Sequence, residues 1–225
     1  MVLGIMQPYF LPYIGYFQLI HCVDKFVIFD DVNYIKGGWV NRNIILLNGN
    51  PFLFTLPLVK ASQNKMLNQI DIFNATKEKR RLLKTFERAY KKAPEFNNIM
   101  PLIKDIMENA ENNLSSFIEY SLIKITTYLE IQTEFIRSST LEKNKAKGQE
   151  QIINICKLMG AKKYVNPIGG QSLYNNKDFK KSNIDLFFIK MGEVDFTNEY
   201  TSILDILFLY SKEHIKLQLE KYDLI

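Results

Sequence analysis

Asp30 and Asp31 stand side by side at the end of the apolar run Phe26-Val27-Ile28-Phe29, and adjacent carboxylates in that position have three chemical uses. They can coordinate Mg²⁺, orient a nucleophilic amine, or act as a general base where burial raises the pKa of one of them. The plainer arrangement has one capping a turn while the other faces water. Close behind come Tyr34, Lys36, Trp39 and Arg42. The two cations could clamp a phosphate or carboxylate, with arginine the better bidentate donor. Trp39 serves equally well as a core ring, with Gly37-Gly38 only turning the chain.

Other polar groups gather after further apolar runs. Gln7-Pro8-Tyr9 follows Val2 to Met6, Arg137-Ser138-Ser139-Thr140 follows Thr133 to Ile136, and Asn166-Pro167 with Gly169-Gly170 follows Lys163 to Val165. The Arg-Ser-Ser-Thr segment offers a guanidinium and three hydroxyls where an anion could dock on backbone amides, or an ordinary Ser/Thr turn. Gly169-Gly170 permits close backbone approach to a phosphate, although no P-loop or G-x-G-x-x-G accompanies it. His21 and Cys22 are neighbours on one predicted helix and so point about 100° apart, which argues against a Cys-His nucleophile; His214 is expected at the surface. The two cysteines have no C-x-x-C spacing, so neither a disulfide framework nor a metal site is expected, and a reducing cytoplasm fits.

The elements that position these groups read as strand, helix, strand. Val2 to Met6 is a buried strand ending before Pro8, Tyr13, Tyr16, Phe17 and Ile20 recur at helical spacing, and Phe26 to Phe29 is a second strand without polar alternation. That order predicts a parallel sheet with helices on both faces. In such a sheet, ligands bind beyond the carboxyl ends of the strands, which is where the candidate residues fall. Ile44 to Leu47 and Pro51 to Leu58 bracket Asn48-Gly49-Asn50, a hairpin signal. Val59 to Ile70 reads as a surface loop, and three amphipathic helices follow between Lys77 and Ile131. A helix over Gln149 to Met159, a strand over Ile184 to Ile189 and a helical tail from Thr201 to Tyr222, broken near Ser211, complete the chain. The prediction is an α/β protein with a mainly parallel, Rossmann-like sheet. It is a single domain over 1–225 with a helical insertion or subdomain at about 77–131.

Composition bounds the partners. With 225 residues, 47% hydrophobic and 24% charged, the chain can bury one core, and disordered or supercharged classes are set aside. A net charge of +5, concentrated in a basic helix around Lys77 to Lys92 read as a solvated face, gives a mild preference for anions. It falls short of a DNA-binding signature. No apolar stretch approaches the roughly 20 residues of a membrane span, and no signal-peptide pattern opens the sequence, so neither membrane insertion nor secretion is expected. The 13% aromatic content is concentrated in the first loops.

Three long motifs carry a resemblance. Ile5-Met6-Gln7-Pro8-Tyr9-Phe10-Leu11-Pro12-Tyr13-Ile14-Gly15-Tyr16-Phe17, Asp24 to Val32, and Trp39-Val40-Asn41-Arg42-Asn43 are similar to the WbqC-like family. So are Phe135 to Ser139, Asn166 to Gly170 with Tyr174, and Leu204-Asp205-Ile206. The resemblance implies a role in O-antigen, lipopolysaccharide or related surface polysaccharide biosynthesis, as a glycine or acyl transferase acting on an amino sugar or a nucleotide-linked sugar. The opening also resembles nucleotidylyltransferase-like folds, whose H-x-G-H motif at the helix start binds nucleotide phosphates. Here Tyr13-Ile14-Gly15-Tyr16 stands at that place, with tyrosine for both histidines and Gly15 still allowing approach to the helix N-terminus.

Together these readings make Asp30 or Asp31 the group that orients or deprotonates an amine. Lys36, Arg42 and Arg137 hold a diphosphate or developing charge, and Tyr9, Tyr34 and Trp39 stack on base or sugar. Gln7, Tyr13, Gly15, Tyr16, Ser138, Ser139, Asn166, Gly169 and Gly170 complete the expected binding set. The acyl donor and any cofactor stay open, and an ATP-dependent amide ligase or a non-catalytic nucleotide-sugar-binding protein are the competing classes.

Overall fold

The computed structural model describes residues 1–225. The chain forms eight strands and eight α-helices. Strand β1 (Val2–Met6), helix α1 (Ile14–His21) and strand β2 (Lys25–Ile28) form the opening unit. β3 (Arg42–Leu47) and β4 (Asn50–Thr55) make a separate two-stranded hairpin. Asn48 and Gly49 turn it at φ of 53° and 77°, the two positive angles that a two-residue type I′ loop demands. Helices α2 (Ala75–Tyr90), α3 (Phe96–Glu108) and α4 (Leu114–Tyr128) precede β5 (Glu134–Arg137). Then come α5 (Gln149–Leu158), β6 (Lys163–Pro167), α6 (Asn176–Lys181) and β7 (Asp185–Met191). Helices α7 (Ile203–Leu209) and α8 (Lys212–Leu219) lead to β8 (Tyr222–Leu224).

The main sheet has the order β5-β2-β1-β6-β7-β8. All its pairings are parallel except that of β8 with β7. The protein is thus α/β with a six-stranded, mainly parallel Rossmann-like sheet flanked by helices. β1 lies at the centre because both its faces are apolar. Leu3 and Ile5 pack with Ile152, Ile155 and Phe179 of α5 and α6 on one side, while α1 and the helical block cover the other through Ile14, Phe17, Leu82, Ile103 and Leu122. From β1 the chain runs outward to β2 and β5, then returns to lay β6 on β1's other edge. Strand order reverses there, between β1 and β6, which opens a crevice beyond their carboxyl ends.

Several readings change. The tail breaks near Ser211 as expected, into two short helices each capped by serine (Ser202 to the Leu204 amide, Ser211 to the His214 amide), but it ends in a strand that closes the sheet's edge. His214 is half-buried, stacked on Tyr210. Within Val59–Ile70, Leu67 and Ile70 are buried around a short 3-10 turn, so this segment is anchored and does not lie free on the surface.

The basic helix is not wholly a solvated face either. Ala75, Lys79, Leu82, Phe86 and Tyr90 make one stripe of α2 turned to the core. Lys79, 2% exposed, donates to the carbonyls of Asn109 and Glu111 at the end of α3 and lies 4.1 Å from the Phe117 ring centroid. Burial pulls its ammonium down to about 8. The unfolded chain holds this proton up to about 10.5, so above about 8 the unfolded state binds more protons and stability should rise with pH through that window. Urea midpoints measured from pH about 8 up to about 10.5 should show this slope, and Lys79→Met should remove it; an equal slope in the variant would assign the titration elsewhere.

Candidate functional site

Asp30 and Asp31 leave β2 in opposite electrostatic situations. Asp30 is buried. Its Oδ1 accepts the Ser139 amide at 2.9 Å and its Oδ2 the Ser139 hydroxyl at 2.6 Å, while its main-chain oxygen accepts the Asn68 amide at 3.0 Å. Both carboxylate oxygens are occupied in tying the end of β2 to the turn after β5. Asp31 is half-buried. Its Oδ2 is ion-paired with Lys143 Nζ, and its Oδ1 lies buried without any hydrogen-bond partner. Lys143 also donates to Ser138 Oγ at 2.5 Å and sits 6.0 Å from the Phe29 ring centroid. Only one carboxylate oxygen of the pair is therefore a bare acceptor.

Lys143 belongs to the loop after β5, and no local pattern in the sequence singles it out. The only signal for it was its sign, opposite to that of the Asp pair. Ser138 and Ser139 come together with the aspartates as the strand-end rule expects. Arg137 does not join them: its guanidinium pairs with Glu119 of α4, and that hydrogen bond raises its pKa further.

A second cluster forms where the loop after β1 meets the hairpin. Tyr9, Tyr13, Trp39 and Tyr200 line a cleft of about 270 Å³ with Pro12 and Ile44. Burial raises the phenols of Tyr9 and Tyr13, so both stay neutral across the physiological range. The Arg42 guanidinium lies 5.5 Å from the Trp39 ring centroid and donates to the Gly37 carbonyl, and its Nε is buried without a partner. Lys36 is exposed on the same loop. Tyr200, on the irregular segment before α7, is a cleft residue that sequence reading missed. Its neighbours are polar, and no periodicity marks it.

Other expected binding residues face inward. Tyr16 is buried and donates to the Gln7 carbonyl at 2.7 Å, and Tyr34 donates to Asn41 Oδ1 at 3.1 Å. Neither offers a face to a ligand. Gly15 allows a close approach, but by the chain itself: a Cβ there would overlap the Tyr13 ring. At the end of β6, Asn166 accepts from the buried Tyr164 hydroxyl at 2.9 Å and donates to the Pro167 carbonyl. Gly170 leaves room for that amide, and Gly169 borders open space. The switch-point crevice thus has Gln7 on one side and Asn166 with the glycines on the other.

Nucleophilic cysteine is disfavoured by environment, since burial pushes both Cys22 and Cys156 up to about 12. No set of three His, Cys, Asp or Glu side chains converges as a metal site. No helix is long and apolar enough to cross a membrane.

A model of the WbqC-like protein family matches residues 7–217. The uncharacterized protein Rv1507c of Mycobacterium tuberculosis is 29% identical over 214 residues, which span 91% of this chain and 92% of that protein. No solved structure matches.

Proposed function

From the premise that the chain belongs to the WbqC-like protein family, we propose that it transfers an acyl group, glycyl being one form, to the amine of an amino sugar. The acceptor is free or nucleotide-linked and serves surface polysaccharide synthesis in the cytoplasm. The observation that carries this reading is Asp31, a carboxylate at the end of a parallel strand with one oxygen held by an ammonium and the other buried and bare. A buried acceptor without a donor is costly to keep, and an amine N–H would satisfy it. Asp30, occupied on both oxygens by Ser139, is left as the structural member of the pair.

In the reaction, the neutral amine nitrogen attacks the acyl carbonyl carbon. The C–N bond forms and the carbonyl electrons move onto oxygen. Asp31 Oδ1 receives or orients the N–H proton, the C–donor bond breaks as the oxyanion collapses, and the departing donor leaves with its electron pair and a proton. Lys36 and Arg42 supply positive charge for a diphosphate, and Tyr9 and Trp39 supply flat surfaces for a ring. Arg137 drops out of the charge-stabilising set because Glu119 neutralises it.

The test is product formation. Amino sugars, free and nucleotide-linked, are incubated with a thioester, an aminoacyl-tRNA, or a free acid with ATP, and the amide is sought by mass spectrometry. Amide without AMP is the expected result. AMP release would move the protein to the ATP-dependent ligases. Thermal stabilisation by a nucleotide sugar with no product from any donor would make it a binding protein.

A further inference from the structure

We propose that the cleft between Tyr9, Tyr13, Trp39 and Tyr200 is a binding site for one uncharged pyranose ring, with Tyr200 closing over it; its place in catalysis, though not its existence, rests on the acyl-transfer reading above. No charged residue lines the cleft. Asn43, the one amide in its wall, is already engaged: its Nδ2 donates to the Leu11 carbonyl at 2.7 Å and its Oδ1 accepts the Ile44 amide at 2.8 Å. What remains for a ligand is aromatic surface rimmed by the phenol groups of the three tyrosines and the indole N–H of Trp39. None of these four hydrogen-bonds within the chain.

That set selects among ligands. Tyr and Trp combine an apolar body with a polar tip, and a pyranose has the matching form, a face of C–H groups edged by hydroxyls. A nucleobase would need a free amide, carboxylate or main-chain group to read its edge. A phosphate finds no cation in the lining. A protonated amine finds no carboxylate in the lining to pair with. The cleft's volume of about 270 Å³ suits a single ring, being just below the roughly 300 Å³ at which drug-sized pockets begin. Tyr200 is 74% exposed yet stacked on Tyr13, which places it at the rim of the cleft with surface left to cover a ligand.

Trp39 is the single tryptophan of the chain, so its emission reports on this cleft alone. Titration with N-acetylglucosamine should give a saturable change in that emission, with glucosamine at a pH where it is protonated weaker and uridine without effect. Tyr200→Ala should raise Kd about tenfold, the loss of one stacked ring, and Tyr200→Phe should raise it less. Because Tyr200 is largely exposed, neither variant should unfold. Saturation by uridine but not by the sugar, no saturation by any of the three, or a Kd unmoved in Tyr200→Ala would each overturn the assignment. The two proposals fail separately. Saturable sugar binding without acyl transfer from any donor retains the cleft and removes the transferase, and transfer without any emission change does the reverse.

Discussion

Asp31→Asn should lower the proposed acyl transfer by about 10²–10⁴-fold, while Asp30→Asn should spare it in the molecules that remain folded. The difference follows from where the oxygens go. In Asp31 the substitution replaces a bare acceptor by a group that can no longer take a proton, and loss of a positioned proton acceptor lowers a rate by about 10²–10⁴-fold. In Asp30 the new amide can still accept the Ser139 N–H on its oxygen while its NH₂ donates to the Ser139 hydroxyl, which accepts as well as donates. What is lost is the charge behind those two hydrogen bonds, so the cost falls on stability, on the order of 1 kcal/mol. Asp31→Asn also strips Lys143, whose side chain is 8% exposed, of its counter-ion, so some stability is lost there too. Activity must therefore be scaled to the folded fraction, read from the urea transition of each variant. Full specific activity in folded Asp31→Asn, or its loss in folded Asp30→Asn, would show that the roles have been assigned to the wrong carboxylates.

The asymmetry of this pair marks the limit of what the sequence makes legible. That two carboxylates end a buried strand is visible from Phe26 to Asp31 alone, and the unbroken apolar runs of β1 and β2 announce the parallel sheet around them. Which carboxylate is free is decided by Ser139 and Lys143, which lie more than 100 positions away in sequence and which no local pattern pairs with either. Likewise the hairpin follows from Asn48-Gly49 because the turn's positive φ angles are a local property. Strand β8 is not legible, because three residues after a helix become a strand only through pairing Ile189 with Leu224 at an open sheet edge. Lys79 was legible in principle. Counted as one charge among many it belongs to a solvated face, but placed on the period that joins Ala75, Leu82, Phe86 and Tyr90 it falls on the buried stripe.

Phe10→Ala is expected to be the most destabilising single substitution near the site, costing about 3–5 kcal/mol, the range for truncating a buried phenylalanine. Phe10 is fully buried, and its ring meets Phe54 of the hairpin edge-on and Phe117 of α4, each at 5.7 Å between centroids. It thus joins three segments that pairing within the main sheet does not hold together. The residue after it explains why collapse around the hole will be poor. Leu11 adopts φ 47°, a left-handed conformation disfavoured for a branched side chain, and its carbonyl is fixed by Asn43 Nδ2 at 2.7 Å and Ser202 Oγ at 2.8 Å. The Pro12 carbonyl accepts the Ile203 amide at 2.8 Å, and the Phe10 amide reaches the Val40 carbonyl at 2.9 Å. This frame presents Tyr9 and Tyr13 to the cleft from a backbone that cannot shift to fill a void at Phe10. The urea midpoint should fall accordingly, Phe10→Leu should recover part of the loss, and Trp39 emission should change in the folded variant because the same frame carries Val40. A loss below about 1.5 kcal/mol, what a volume-conserving core swap costs, would mean that the loop after β1 is held by its hydrogen bonds and not by this ring.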